Sequence, residues 1–144
     1  MAILQNKLLI AALLALLIAQ FAKGVIGLIR ERRFNFHYIA GAGGMPSSHA
    51  AFVTALATAA GRQLGLASPV FAVSVVLASV VMYDAAGVRR AVSIQARILN
   101  QIMADYFDNK GIQQQRLREL IGHTPFQVLV GAILGIAIGF LVTA

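Results

Sequence analysis

The chain has 144 residues, of which 59% are apolar and 12% are charged, with a net charge of +7 and a mean hydropathy of +0.80. Soluble domains average about 45–50% apolar and about 25% charged residues, so this composition excludes an ordinary water-soluble globule or a disordered chain, and lipid must cover part of so small a protein. The absence of cysteine excludes disulfides and thiolate sites, while the positive charge favours anionic partners such as lipid headgroups, phosphates or nucleic acid.

The first predicted element is a membrane span over about residues 4–29. Residues 8–22 carry no charge, and Lys23 alone interrupts the apolar character before it ends at Ile29. About 20 helical residues cross a hydrocarbon core of about 30 Å, so the segment is long enough. A cleaved signal peptide is the alternative, but the apolar run is long for one and no Ala-x-Ala site is well placed after it.

The second and third spans are predicted over about residues 46–61 and 69–84. A basic and then glycine-rich loop, residues 30–44, precedes the second span. Serine at a helix cap and proline near the first helical position are start signals, and they stand at Pro46 and the two serines behind it. The second span is short for a membrane crossing.

The third apolar run meets Asp84 without a breaker. The helix is therefore expected to continue past Arg89, Arg90 and Arg97 as an amphipathic extension that leaves the bilayer.

A last, uncharged span is predicted over about residues 126–143, opened by Pro125. The polar stretch before it carries a short amphipathic helix at about residues 112–121. The predicted fold is thus an all-α integral membrane protein, a compact bundle of about four transmembrane helices plus a short amphipathic helix, in one domain over residues 1–144.

Three glycines, Gly131, Gly135 and Gly139, recur every four residues on the last span and form a smooth ridge on one face. In lipid such a face lets two helix backbones approach closely. It predicts either packing within the chain or the seam of a homodimer.

The distribution of basic residues predicts the orientation in the membrane. Ten of the twelve lysines and arginines lie in or beside the loops that follow spans one and three, and only Lys7 and Arg62 lie on the other side. Since basic residues flank spans on the cytoplasmic side, we expect the basic face to be cytoplasmic and both termini to lie opposite, in a plasma or inner membrane.

The polar residues that the predicted topology brings to this basic face are the candidate site residues. They are Lys23, Arg30, Ser47, Ser48, His49, Asp84, Arg89, Arg90 and His123. Lys23 and Arg30 are two helical turns apart and share a face, and a lysine inside an apolar run marks either a site or a side chain that snorkels to lipid phosphates.

The segment from Gly43 to His49 is a flexible loop that runs into a helix N-terminus, where unpaired N–H groups and the helix dipole favour an anion. An ordinary N-cap is the alternative. Asp84 needs an arginine or histidine partner across the bundle. The alternative to a functional role is a simple structural ion pair with an arginine. His123, just before the last span, is either a site residue or a cap.

These motifs resemble the phosphatidic acid phosphatase type 2 superfamily, which includes vanadium-dependent haloperoxidases. The resembling motifs are Lys23-x6-Arg30, then Pro46-Ser47-Ser48-His49, then His123 near the start of the last span. The stretches GGMPSSHAA, YDAAGVRRAVSIQA and LIGHTPFQVLVGAILG look most like its divergent, acid phosphatase-related branch of small membrane proteins.

The resemblance implies a role for each motif. Lys23 and Arg30 would hold phosphate oxygens, and Ser47 with the amide of Ser48 would bind the phosphoryl group. His49 would protonate the leaving oxygen. His123 would be the nucleophile and form a phosphohistidine that water hydrolyses, with neither metal nor cofactor required.

The chain departs from the superfamily pattern at three positions. Ser48 stands where glycine is usual, and Leu117 stands where the last motif has its serine and arginine. Gln127 replaces the aspartate that orients the nucleophile. These departures predict that Asp84, with Arg89 or Arg90, supplies the missing groups, or that catalysis is weak or lost.

The leading hypothesis is a membrane phosphatase that hydrolyses a lipid phosphomonoester or pyrophosphate. The alternative is a non-catalytic protein that binds anionic lipid or serves in assembly while keeping the fold. A transporter is less favoured because its charges should line a path through the membrane midplane. Nucleic acid is not expected as a partner, because the basic residues lie beside spans without an aromatic stacking series.

Overall fold

A computed structural model describes residues 5–31, 44–107 and 123–144. These residues form five α-helices, numbered here in chain order: α1 (Lys7–Glu31), α2 (Ser48–Leu64), α3 (Pro69–Ala86), α4 (Val88–Phe107) and α5 (Pro125–Val142). The predicted all-α class is confirmed. The short helix expected at residues 112–121, and Leu117 with it, lie outside the described residues.

Local sequence signals place the helix starts. Ser47, Ser68 and Thr124 are N-caps whose hydroxyl oxygens accept hydrogen bonds from backbone N–H groups in the first turn of α2, α3 and α5. Pro69 and Pro125 occupy the first turn, where no N–H is needed. The observed starts lie within two residues of the predicted ones for these three helices.

The continuous helix expected from the third span through Arg97 is interrupted at Gly87, which corrects that prediction. Helix α3 ends at Ala86, and the Gly87 N–H donates to the Tyr83 carbonyl oxygen at 2.8 Å before α4 begins at Val88. Glycine weakens a helix interior because it loses the most backbone freedom on folding. The amphipathic segment is therefore a separate helix.

Helix α2 lies at the centre of the bundle and contacts α1, α3 and α5. It runs parallel to α5: Ser47 contacts the position of Gly131 near one end, and the Arg62 Nε donates to the Thr143 Oγ1 at 2.9 Å at the other. By length and composition, three described helices can cross a membrane: α1 over Lys7–Ile29, α3 and α5. At 17 residues, α2 is roughly 26 Å long.

The bundle has small residues inside and large apolar residues outside. Four fully buried alanines, Ala15 and Ala19 of α1 with Ala51 and Ala55 of α2, form the main core together with Ile138. Large side chains point outward, and Phe21 is 74% exposed. Without a hydrophobic force between helices in lipid, close packing of small residues holds them together. This arrangement fits an integral membrane protein.

The glycine ridge of α5 packs against α2 within the chain. A Cβ built on Gly135 would meet the Ala51 carbonyl oxygen and the Thr54 hydroxyl, and one built on Gly131 would meet the Ser47 carbonyl oxygen. The ridge therefore serves intramolecular packing. This surface is taken up and is not open to the homodimer seam that was the other expectation.

Candidate functional site

Parts of four helices meet at one end of the bundle: the second half of α1, the start of α2, the end of α3 and the start of α5. The Ser47 N–H donates to the Gln127 carbonyl oxygen at 3.1 Å, which ties α2 to α5. The His123 N–H donates to the Ala85 carbonyl oxygen at 3.2 Å, which ties the residue before α5 to α3. Residues far apart in sequence are thus fixed beside one another by backbone bonds.

Lys23 is buried at this end, with 2% of its surface exposed, and does not snorkel to the membrane surface. Its Nζ donates to the Ser48 Oγ at 3.2 Å. Within the described residues no carboxylate pairs with it. Burying an ammonium group without a counter-charge is unfavourable, so a bound anion would stabilise this arrangement.

The start of α2 offers further groups to an anion. Ser47 and Ser48 are both buried, and the Ser47 Oγ caps the helix by accepting from the Ala50 N–H at 3.3 Å. The first N–H groups of an α-helix have no partner within the helix and carry its positive dipole end. His49 follows in the first turn and is exposed.

His123 lies near the start of α2, with 2% of its surface exposed. Its Nδ1 is 3.3 Å from the Oε1 of Gln127. The same Oε1 accepts from the Thr124 N–H at 3.1 Å, which fixes the orientation of the amide. An oxygen that faces Nδ1 favours the tautomer with its proton on that nitrogen, which would leave the lone pair on Nε2.

Burial lowers the pKa of the His123 imidazole below its ordinary value. The hydrogen bond to Gln127 raises the pKa, the electrostatic effects of the nearby Lys23 and His49 lower it further, and a hydrogen bond to the Gly44 backbone raises it. The lowered pKa favours the neutral imidazole, which is the form that has a free lone pair.

This shift predicts a pH-dependent stability. Because the pKa is lower in the folded state than the value of about 6.5 in an unfolded chain, the unfolded state binds protons first as pH falls. His123 therefore contributes stability that is complete above about pH 6.5 and is lost as the pH falls from there through the folded pKa. We expect the thermal midpoint in detergent to fall over this range in the wild type and to fall less in His123→Asn.

The comparison at pH 8 is the control, because His123 is neutral there in both states and any difference between the two proteins reflects packing alone. Equal loss of stability on acidification in wild type and His123→Asn would contradict the prediction.

A cavity of about 320 Å³ opens beside the cluster. Polar groups of Lys23, Thr124 and Gln127 and apolar side chains of Ile26, Met45 and Phe126 line it, together with Gly27 and Gly44. Ile26 and Phe126 are also exposed on the outer surface of the bundle. A molecule in the cavity would meet both polar and apolar residues.

The remaining predicted site residues are placed less fully. Asp84 is half-buried in the last turn of α3, next to the Ala85 that holds the His123 backbone. Arg30 lies in the last turns of α1, and Arg89 and Arg90 in the first turn of α4. The side chains of these three arginines lie outside the described part of the structure. Their predicted roles stay predictions.

Two parts of the site are not predicted by the sequence patterns above. Thr124 and Gln127 form a capping box, in which each side chain accepts from the other's backbone N–H, and the spacing Thr-x-x-Gln before an apolar run is its recognised signal. The apolar lining by Ile26, Met45 and Phe126 has no signal in a chain whose spans are all apolar.

Comparisons with known proteins agree with these observations. The model of a family described as the divergent PAP2 family matches residues 4–138. A relative from Bacillus subtilis (strain 168), named uncharacterized membrane protein YuiD, is 39% identical over 147 residues, covering 94% of this chain and 93% of the relative. No solved structure matches the chain.

Proposed function

The chain belongs to the divergent PAP2 family, and from this premise we propose that it is a membrane phosphatase acting on a lipid phosphomonoester or pyrophosphate. The observation that carries the proposal is the buried Lys23, which is held against Ser48 at a helix N-terminus and lies near His123. Such a cluster is suited to a phosphate group, because a buried ammonium group without a counter-charge is unfavourable in free energy.

In the proposed reaction the Nε2 lone pair of His123 attacks phosphorus. The bond from phosphorus to the lipid oxygen breaks, and His49 gives that oxygen its proton. Water then attacks the phosphohistidine and gives its proton to His49, and the N–P bond breaks to release phosphate and restore His123. Lys23, the Ser47 hydroxyl and the Ser48 amide hold the phosphoryl oxygens, as donors fixed in advance stabilise charge that develops in the transition state. Arg30 is proposed to assist them.

We propose that Gln127 occupies the position where the family usually has the carboxylate that orients the nucleophile. Its oxygen lies 3.3 Å from the Nδ1 of His123 and would orient the ring, but a neutral amide stabilises the imidazolium less than a carboxylate does. We propose that Asp84 supplies the negative charge that the amide lacks, and that Arg89 or Arg90 takes the place of the arginine missing from the last motif.

The proposed topology has four spans in one domain, with α2 crossing beside α5. This is supported by the contacts between these two parallel helices at both ends. The site end carries most of the basic residues, so we propose that it faces the cytoplasm and that the lipid headgroup enters from the cytoplasmic leaflet. The cavity between Ile26 and Phe126 would let the acyl or prenyl chain stay in the bilayer.

The test is phosphate release by purified protein in detergent from phosphatidate, phosphatidylglycerophosphate and an isoprenyl pyrophosphate. We expect vanadate-sensitive release from at least one of them. Lys23→Met should lower kcat/KM by about 10²-fold, the usual effect of removing one donor that stabilises transition-state charge. Lys7→Met is the matched control, because Lys7 lies exposed at the other end of the same helix, and it should keep full activity.

The neutral Gln127 beside His123 favours a second candidate, the non-catalytic lipid-binding protein. Folded protein that binds these lipids in a salt-sensitive way but releases phosphate from none of them would contradict the phosphatase and support this candidate.

A further inference from the structure

Helix α4 has an exposed apolar face that no described helix covers. Val88, Val92, Leu99 and Ile102 are between 43% and 57% exposed. Their spacing of four, seven and three residues puts them on one face of an α-helix. Among the described helices α4 contacts α3 and no other.

The position of α4 relative to the bilayer follows from the chain. It begins two residues after α3 ends, and α3 is long and apolar enough to cross the membrane. The start of α4 is therefore at the membrane surface. With 20 residues α4 is long enough to cross as well, but it is not among the helices apolar enough to do so.

The opposite face of α4 carries polar residues, with the exposed Ile94 at its edge. Arg97 and Gln101, both exposed, lie opposite Leu99 in the helical register. The helix carries Arg89, Arg90 and Arg97 against Asp105 as its charged residues, so its net charge is positive. A helix with one apolar face and a basic polar face is the type that lies in the plane of a membrane interface.

We propose that α4 lies in the headgroup region of the leaflet at the site end, with Val88, Val92, Leu99 and Ile102 in the acyl boundary and its basic face toward anionic headgroups. Val80 and Tyr83, near the end of α3, are also exposed, so one bilayer would cover apolar side chains of both helices. The proposal does not depend on catalysis.

The chain has no tryptophan, which allows a direct test with single-tryptophan variants of the full protein. Leu99→Trp reports on the apolar face and Gln101→Trp on the polar face of the same turn. Both positions are exposed, so the substitutions leave the packing intact. Ile102→Trp and Ala104→Trp form a second pair with the same contrast.

In vesicles of phosphatidylcholine and phosphatidylglycerol, we expect the Leu99→Trp emission to be blue-shifted and quenched by brominated acyl chains. The Gln101→Trp emission should instead be quenched by aqueous iodide. At equal mole fraction, brominated phosphatidylglycerol should quench Leu99→Trp more than brominated phosphatidylcholine does, and salt should reduce the difference.

Iodide quenching of Leu99→Trp as strong as that of Gln101→Trp would place α4 in water and overturn the proposal. A blue-shifted Leu99→Trp emission that brominated lipid does not quench would show that protein covers the face, and this too overturns it. Equal quenching by the two brominated lipids would overturn the preference for anionic headgroups.

Discussion

Replacing His123 by glutamine is expected to stop phosphate release from every substrate, lowering kcat by about 10³-fold or more, as loss of a covalent nucleophile does. The residue is buried and its Nδ1 lies beside the Gln127 oxygen, so in the proposed reaction the lone pair on Nε2 is the group that attacks phosphorus. Glutamine keeps a polar side chain at this position but has no such lone pair. The measurement is release of inorganic phosphate, with acid-labile phosphate on the protein as a second readout.

His49 supplies the contrast, because its proposed role is to protonate the leaving oxygen. An acid is needed for a poor leaving group such as a lipid alkoxide and hardly at all for a good one such as p-nitrophenolate. His49→Gln should therefore lose most of its activity on the lipid but keep much of it on p-nitrophenyl phosphate, while His123→Gln loses both.

Circular dichroism of both variants serves as the folding control. If folded His123→Gln releases phosphate as fast as wild type, His123 is not the nucleophile. If His49→Gln loses activity equally on both substrates, His49 acts in some step other than protonation of the leaving group.

The fold follows from the sequence where the signals are local. Serine or threonine followed by proline fixes the starts of α3 and α5. Long apolar runs, interrupted in α1 by Lys23 alone, indicate the extents of α1 and α5. The central position of α2 in the bundle cannot be predicted from local sequence signals, because it depends on contacts with α1, α3 and α5. Its alanine- and threonine-rich sequence looks like a weak span, and its low hydropathy makes sense only when protein rather than lipid surrounds it.

The candidate site is predictable to a similar degree. A lysine within an apolar run is conspicuous because its burial is unfavourable, and Lys23 is indeed buried against Ser48. The Gln127 side-chain oxygen contacts both the Thr124 N–H and the His123 ring, and this arrangement depends on the path of the chain into α5. Spacing alone gives the capping box, but it does not say that the same oxygen also faces the imidazole.

The glycine ridge was ambiguous in the sequence for a physical reason: a face of small residues accepts any helix that comes close, from the same chain or another. The contacts of α5 with α2 give the ridge a definite consequence for stability. Gly135→Ala is expected to destabilise the protein by about 3 kcal/mol, the upper range for overpacking a close contact. The new Cβ would meet the Ala51 carbonyl oxygen, which cannot rotate away, and the Thr54 hydroxyl.

Gly135→Ala would also displace the Thr54 hydroxyl, whose Oγ1 donates to the Ala132 carbonyl oxygen at 3.1 Å. Gly139→Ala should be milder, because its Cβ would lie 2.7 Å from the Thr58 Cβ and 3.0 Å from the Ala55 carbonyl oxygen. The measurement is the midpoint of unfolding when sodium dodecyl sulfate is titrated into mild detergent.

Ala137→Leu is the matched control, since Ala137 is exposed on the same helix and a larger apolar side chain there meets only lipid or detergent. In an isolated helix alanine is favoured over glycine by about 1 kcal/mol, so a loss of stability in Gly135→Ala has to come from the contact with α2. A Gly135→Ala protein as stable as the wild type would show that the two helices do not pack at this distance, and the alignment of Lys23, Ser48 and His123 that depends on them would lose its support.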